Sequence, residues 1–250
     1  MANSNENSSE QFEDLVLRPE FNHFRLQFSP GATWIRILPA LRDSAFDWYL
    51  PIEVLSFPGG RFVHPATFDP NKLSPYDVAL KWFRRNDPQS LYSRSNKIGY
   101  RLQPERLCVF WAVEYSEHGT HSLRLLLEYF NDGGSGPAGL AREIHRKVFE
   151  RDENGERIGN ALTPDTGAMI CIERQMRKYP HAPLDWVRIG RIPTSVDKLL
   201  EGVPQEEAEF LRPLEEVIQQ STIDEQWEYL GRLISPELAD RIRHGKGRWF

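Results

Sequence analysis

The sequence predicts a mainly β protein, a barrel or a sandwich, because short apolar runs recur between turn-forming residues. The runs are FRLQF at 24–28, TWIRIL at 33–38, LCVFWAV at 107–113, SLRLLLEYF at 122–130, AMICIE at 168–173 and WVRIG at 186–190. Gly, Pro, Asn and Asp separate them, as expected where a chain turns between strands. With 250 residues, 40% of them hydrophobic, the chain can build one large domain with an appended segment.

A single helix is predicted among the strands. The segment AGLAREIHRKVFER at 138–151 has Leu140, Ile144 and Val148 at fourfold spacing, and the turn-forming residues DENGE follow it. This spacing aligns the three apolar side chains on one helical face. We therefore expect a helix that packs against the sheet.

The two cysteines and the N-terminal residues indicate the compartment. Cys108 and Cys171 both lie inside apolar runs, which favours reduced thiols in the core over a disulfide or a metal site. No apolar run is long enough to cross a bilayer, and the polar residues 1–18 carry no leader pattern and are expected to be a disordered tail. The sequence predicts a cytoplasmic protein with no membrane partner.

Positive charge is concentrated in the middle of a chain whose formal charge is -5. Residues 72–112 contain eight cations and three acids, hence five net positive charges, and the aromatic residues Tyr76, Trp82, Phe83, Tyr92 and Tyr100 lie between them. Cations neutralise phosphates and rings stack on unpaired bases, so this composition is typical of a surface for single-stranded nucleic acid. The alternative is a solvated basic loop whose rings belong to the core.

The order of several elements resembles a known family. GATWIRILPA at 31–40 is similar to the strand with the IRxLP motif in single-stranded DNA-binding (helix-destabilising) proteins of the T-even-phage type. The elements that come next are in the family's order. They are the basic and aromatic insertion KWFRRNDPQSLYSRSNKIGYR at 81–101, the strands RLCVFWAVEYS and SLRLLLEYF, the helix LAREIHRKVFE, the turn PDTG and the strand with Trp186 and Arg188. The resemblance covers roughly residues 20–195.

The resemblance implies an OB-fold barrel with inserted and C-terminal helices, spanning 19–195. It also implies a cleft that binds single-stranded DNA without sequence preference during DNA replication, recombination or repair in a bacteriophage or bacterium. The residues expected to line this cleft are Trp34, Arg36, Lys81, Trp82, Arg84, Arg85, Tyr92, Arg94, Lys97, Tyr100, Arg101, Arg106, Tyr115, Arg124 and Tyr129. Strand alternation would turn Trp34 and Arg36 toward the DNA, unless Arg36 pairs with a carboxylate at the barrel rim.

The chain departs from this family at the expected metal site. Family members often hold zinc in the insertion with one His and three Cys, whereas residues 62–106 contain His64 and no cysteine. A structural zinc needs four ligands, so we expect no metal and no other cofactor. The insertion should instead be held by packing, through Trp82, Phe83 and Tyr92.

The C-terminal segment 196–250 is expected to be acidic and helical. Residues 197–228 contain ten acids and two cations, a charge that suits contacts with replication or recombination proteins. Within it, EEAEFLRPLEEVIQQ places Phe210, Leu214 and Ile218 on one helical face, with a kink expected at Pro213. The chain then ends in RIRHGKGRWF, a basic and aromatic tail that is either disordered or contacts DNA or the acidic helix of a neighbouring subunit.

Two other functions remain open at this stage. Glu114, Glu128 and Asp132 could hold the metal of a nuclease with His118 or His121 as a base, but the sequence contains no catalytic motif, so we expect no enzyme. An RNA-binding or structural virion protein with an OB-type barrel would show the same rings and cations, because stacking does not distinguish DNA from RNA.

Overall fold

A computed structural model describes residues 12–28, 31–41, 48–93, 98–130, 139–174, 185–193 and 195–245. The contacts divide the chain into two compact units. Unit 1 comprises Met1–Val16, Glu53–Glu105 and Gln219–Phe250, and unit 2 comprises Leu17–Ile52 and Arg106–Ile218. These units do not follow the predicted boundary at residue 195, because the predicted C-terminal segment contributes to both.

The described residues form eight strands and nine α-helices. The strands are β1 Glu13–Leu15, β2 Gly31–Ile37, β3 Leu50–Phe57, β4 Gly60–Val63, β5 Glu105–Glu114, β6 Ser122–Tyr129, β7 Ala168–Arg174 and β8 Asp185–Pro193. The helices are α1 Pro75–Asn86, α2 Pro88–Tyr92, α3 Ile98–Arg101, α4 Leu140–Val148, α5 Val196–Glu201, α6 Gln205–Ala208, α7 Leu214–Val217, α8 Ile223–Ile234 and α9 Pro236–His244. Two 3₁₀ helices occupy Pro19–Phe24 and Pro65–Thr67.

Unit 2 is built on antiparallel strands. Strand β2 lies between β5 and β7, β6 pairs with the other strand of its hairpin, β5, and β8 pairs with β7. Helix α4 covers one face of these strands, where Ile144 and Val148 pack with Ile35, Ile170 and Phe110 in one buried cluster. The fourfold spacing therefore predicted this helix and its buried face correctly.

The other face of the β5–β6 hairpin is covered by aromatic side chains of unit 2. The rings of Phe21 and Phe24 meet the Trp111 ring edge to face, with centroids 6.3 and 5.8 Å away, and Phe210 lies 5.3 Å from Phe24. The Trp111 indole Nε1 donates to the carbonyl of Arg212 at 2.9 Å. The segment before α7 is thus fixed to the sheet by one directed hydrogen bond and an aromatic cluster.

Unit 1 combines three short strands, joined by two pairings, with helices from distant parts of the sequence. Strand β1 runs parallel to β4, and β4 pairs antiparallel with the second half of β3. Gly60 is required in β4 because a Cβ there would lie 2.5 Å from the Glu13 carbonyl oxygen. Helices α8 and α9 complete the core, where the Tyr229 ring stacks on Phe57 at 4.5 Å with an interplanar angle of 6°.

Helix α1 begins where the sequence carries a strong local start signal. Ser74 accepts a hydrogen bond from the Asp77 amide, the Asp77 carboxylate accepts from the Ser74 amide, and Pro75 occupies the first helical position. This capping box satisfies backbone donors that would otherwise be lost at the start of a helix. Tyr76 and Phe83 are buried along one side of the helix, which attaches the basic insertion to the core of unit 1.

The strands predicted from the apolar runs at 33–38, 107–113, 122–130, 168–173 and 186–190 are confirmed as β2 and β5 to β8. The strand predicted at 24–28 is wrong, because Phe24 ends a 3₁₀ helix and only Arg25 forms a bridge, to Leu125. The ordered chain also begins before residue 19: β1 is paired and Val16 and Leu17 are buried. Residues 1–11 lie outside the described chain.

The single helix predicted over 206–220 is also wrong. The structure has two short helices there, α6 and α7, separated by a break that ends at Pro213. Proline cannot donate to the preceding turn and its ring clashes with that turn, so it starts a new helix here instead of kinking a continuous one.

Both cysteines are free and buried, as predicted, and burial raises the pKa of the Cys108 thiol to about 12. In the described chain, every helix is too short or too polar to cross a bilayer. The fold is therefore sheet-rich with helices. The pairings among described strands leave an open path and do not close it into the predicted barrel.

Candidate nucleic-acid interface

Three cations lie on the solvent side of α1. Lys81, Arg84 and Arg85 are exposed, and the two arginines lie three and four residues after the lysine, so all three share one helical face. The buried residues Tyr76 and Phe83 lie on the opposite side of the helix. Within the described ranges Lys81 and Arg84 have no hydrogen-bond or ion-pair partner, so their charges are directed at solvent.

Two exposed tyrosines lie on the helices that follow: Tyr92 on α2, which packs against α1, and Tyr100 on α3, which packs against α2. The side chain of Tyr92 on α2 is 80% exposed and that of Tyr100 on α3 is 69% exposed. The tyrosine hydroxyl of residue 100 donates to Glu105 Oε1 at 2.9 Å, which orients this ring. Rings that remain in water are available for stacking, and this exposure makes Tyr92 a poor core residue.

Gly99 explains why the two tyrosines are close together. A Cβ at this position would lie 2.2 Å from the Leu91 carbonyl oxygen, so only glycine allows α3 to approach the backbone of α2. Tyr92 and Tyr100 each follow one of these touching residues, and chain geometry places their Cα atoms within about 12 Å of each other. We define the α1–α3 surface as Lys81, Arg84, Arg85, Tyr92, Tyr100 and Arg101.

The insertion is held by packing and by hydrogen bonds. Phe83 is buried and Trp82 is partly buried beside it, with ring centroids 5.1 Å apart, so packing through these two rings is confirmed, whereas packing through Tyr92 is wrong. His64 is buried, and its Nδ1 accepts from the Ala66 amide at 3.0 Å while its Nε2 lies 2.9 Å from the Asp77 carboxylate. This arrangement makes Nε2 the donor to Asp77.

Asp77 therefore links the start of α1 to the preceding strand. Burial alone would raise the pKa of its carboxyl, but the hydrogen bond from His64 and those from the Ser74 amide and hydroxyl outweigh burial and hold the pKa below its usual value. A carboxyl whose pKa is lower in the folded than in the unfolded protein stabilises the fold when the pH is above the unfolded pKa. That stabilisation is lost as the pH falls through the pKa of the folded state.

We expect Asp77→Asn to destabilise the protein by about 1–2 kcal/mol at pH 7, because the capping box and the charge-assisted bond to His64 are both weakened. The difference from the unaltered protein should shrink below about pH 4, where the carboxylate is protonated in the unfolded chain. Urea unfolding of both proteins at pH 7 and at pH 3.5 measures this difference in the free energy of unfolding. Asp69→Asn, at an exposed turn of unit 1, is the matched control; an equal loss in both variants would contradict the role of Asp77.

The predicted residues of unit 2 lie at several places on the β5–β6 hairpin. Arg106 and Tyr129 lie at one end of it, where Tyr129 is 46% exposed, and Tyr115 follows the other end, about 26 Å away along the strands. Arg124 faces the opposite side of the sheet from Tyr129 and pairs with Glu114 at 2.7 Å. The hairpin therefore does not bring Tyr115, Arg124 and Tyr129 together.

The prediction that Arg36 faces bound DNA is wrong. Its side chain has no solvent exposure, and its guanidinium donates to the carbonyls of Ala161 and Thr163. Burial lowers its pKa to about 10, so the side chain remains charged at neutral pH. Strand alternation predicts only the face of β2 from which Arg36 projects. Residues 161–163 lie over that face and bury the side chain.

Trp34 is partly buried instead of forming an open stacking platform. The guanidinium of Arg188 lies 5.7 Å from the Trp34 ring centroid, and Gly190 leaves the space that the ring occupies. Arg188 is exposed and was not among the predicted site residues. A strand-register argument could have found it, because Trp34, Cys171 and Arg188 are successive partners across three strands.

Two predicted site residues, Arg94 and Lys97, lie outside the described residues, and so does the tail at 246–250. Among the residues that are described, no group of three or more His, Cys, Asp or Glu side chains could hold a metal ion. In the acidic segment, Glu207 accepts a hydrogen bond from the Leu123 amide at 2.8 Å, so this carboxylate has a structural contact in unit 2. No protein-family model matches the sequence, and no curated protein is significantly similar to it.

Proposed function

We propose that this protein binds single-stranded DNA without sequence preference, in replication, recombination or repair. The observation that carries the proposal is the α1–α3 surface, where two tyrosine rings are largely exposed and three cations lie on one exposed helical face. Exposed rings can stack on any base, and cations neutralise the backbone irrespective of sequence. Duplex DNA, whose bases are already stacked, should bind much more weakly.

The arrangement of charge favours a local binding surface. The whole chain is acidic, with a formal charge of -5, so general attraction to nucleic acid does not account for binding. Lys81, Arg84 and Arg85 point the same way from one rigid helix, which raises the local potential next to the tyrosines. The exposed residues Arg106 and Tyr129 in unit 2 are proposed as a further contact with DNA.

The resemblance to the T-even-phage type of single-stranded DNA-binding protein supports the same proposal. Strand β2 carries the IRxLP motif, and β5 to β8 with α4 follow in the family's order. We therefore propose that these strands belong to an OB-type barrel, that the protein acts in the cytoplasm, and that the acidic segment at 197–228 contacts replication or recombination proteins.

Alanine at both Arg84 and Arg85 tests the electrostatic part of the proposal. Each phosphate contact on a single strand contributes about 0.7 to the slope of log affinity against log salt concentration, so the double variant should lower the slope by about 1.4. Fluorescence titration with oligo(dT) at several salt concentrations measures it. The matched control removes Lys198 and Arg212 from the acidic segment; if this pair changed the slope equally, the α1–α3 surface would not be the site.

Parallel titrations with poly(dT), poly(U) and duplex DNA distinguish the alternatives. The proposal requires preference for poly(dT) over duplex DNA at moderate salt. Stronger binding to poly(U) would favour an RNA-binding protein, and equal binding to single-stranded and duplex DNA would contradict the proposal. Degradation of the oligonucleotide in the presence of magnesium would instead indicate a nuclease.

A further inference from the structure

A small hairpin at residues 150–158 follows α4 in unit 2. Its two sides are joined by an antiparallel bridge between Arg151 and Arg157. Asn154 and Gly155 lie at its tip, where both are exposed and Gly155 has a φ of 81°, in the left-handed region that favours glycine. These two residues are the only Asn-Gly pair in the sequence.

An asparagine that precedes a glycine has a characteristic reaction with its own main chain. The glycine nitrogen loses its proton to hydroxide and attacks Cγ of the asparagine, which forms a C–N bond and closes a succinimide ring. The side-chain amide takes a proton from water and leaves as ammonia. Water then opens the ring at either carbonyl and gives aspartate or isoaspartate, a covalent change that replaces a neutral side chain by a charged one. Glycine permits the attack because it has no Cβ to hinder it.

The reacting groups at the tip are accessible. Within the part of the chain that the structure describes, the Asn154 side chain forms no hydrogen bond, so its amide is free to turn toward the main chain. Apart from the chain neighbours of Gly155, no described atom lies within 4 Å of the position that a Cβ on this residue would take. Hydroxide and water therefore reach both reacting groups from solvent.

The turn restrains the reaction without preventing it. The Gly155 amide donates to the Asp152 carbonyl at 3.0 Å, and this bond must break before the nitrogen can attack. Asp152 Oδ1 also accepts from the amides of Asn154 and Glu156, both at 2.9 Å, which holds the turn in place. The net contribution of one hydrogen bond corresponds to a factor of up to about ten in an equilibrium.

We propose that Asn154 is a deamidation site, converted to aspartate and isoaspartate through attack by the Gly155 nitrogen. The product adds a negative charge to a tip that already carries Asp152, Glu153 and Glu156. Isoaspartate also lengthens the main chain by one carbon, which disturbs the pairing across the hairpin. The reaction needs no enzyme, so modified chains accumulate with the age of the protein. The inference concerns unit 2 alone and does not depend on the proposed binding of DNA.

A second turn of the chain is a matched internal control. The Asn71 amide donates to Asp69 Oδ1 at 3.0 Å and the Lys72 amide donates to the Asp69 carbonyl at 2.9 Å, which reproduces the bonds around Asn154. Asn71 is exposed as well. The residue after it is a lysine, whose side chain hinders the attack. A difference in reactivity between the two asparagines therefore measures the contribution of Gly155.

Incubation of the full chain in a mildly alkaline buffer at physiological temperature, followed by tryptic mapping and mass spectrometry, tests the proposal. Trypsin cuts after Arg151 and Arg157, which releases 152–157 as one fragment, and an unincubated sample corrects for conversion during digestion. We expect conversion of Asn154 about tenfold slower than in a synthetic peptide of residues 150–158 and at least about tenfold faster than conversion of Asn71. Asp152→Ala should accelerate it about fivefold, because the turn then opens more often.

Asn154→Gln should remove the conversion, because glutamine has to close a larger ring. An unmodified Asn154 after a time in which the peptide has been consumed would overturn the proposal. Equal conversion of Asn71 and Asn154 would also overturn it, since the reaction would then not depend on Gly155.

Discussion

Alanine at both Tyr92 and Tyr100 is expected to lower the affinity for oligo(dT) about 100-fold, since each stacked base contributes about 1–3 kcal/mol. The slope of affinity against salt should change little, because neither ring neutralises a phosphate. The two rings are exposed, so the free energy of unfolding should stay within about 0.5 kcal/mol of its original value. Fluorescence anisotropy of labelled oligo(dT) and urea unfolding measure these quantities.

Phenylalanine at the same two positions is the matched control. It keeps the rings and removes the hydroxyls, including the one that donates to Glu105, so most of the affinity should remain. If the phenylalanine variant bound as weakly as the alanine variant, hydroxyl contacts would be responsible instead of stacking. Unchanged affinity in the alanine variant would remove the α1–α3 surface from the proposed function.

Arg36→Ala should strongly lower the free energy of unfolding. It should remove no DNA contact, because this side chain is buried. The substitution leaves the carbonyls of Ala161 and Thr163 without their charged donor inside unit 2. Buried acceptors that lose such a partner cost about 3 kcal/mol in total. Urea unfolding is the measurement, and Arg84→Ala, at an exposed arginine, should change the stability by less than about 0.5 kcal/mol.

Arg36→Lys tests whether the positive charge alone or the shape of the guanidinium stabilises the fold. Lysine keeps the positive charge but lacks the planar fork that reaches two carbonyls at once, so we expect an intermediate loss of stability. A stable Arg36→Ala variant with weakened DNA binding would contradict the structural role and restore this arginine as a DNA contact.

The strands of unit 2 could be predicted because their apolar runs are long and have turn residues on both sides. Strand β3, LPIEVLSF, was not predicted, because Pro51 near its start weakens the strand signal. Helix α1 was not predicted either, since cations interrupt its apolar positions. Its sequence nevertheless carries a detectable start signal, Ser74 followed by Pro75 with Asp77 three residues on.

The candidate site was predictable in composition but not in exposure. The density of cations and rings at 72–112 pointed to Tyr92 and Tyr100, which are indeed exposed. Sequence alternation could not show that Arg36 is covered, because the covering residues 161–163 lie more than a hundred positions away. Burial by a distant loop is a property of the tertiary fold and leaves no local pattern.

Unit 1 is assembled from three separate stretches of the chain, and this has a consequence for biosynthesis. Leu230, buried among the residues of its core, comes more than a hundred and twenty positions after the basic insertion that it helps to hold. A nascent chain on the ribosome must therefore expose the apolar side of that insertion until Leu230 has emerged. Chains interrupted before Leu230 would display an incomplete core, which favours their aggregation and degradation.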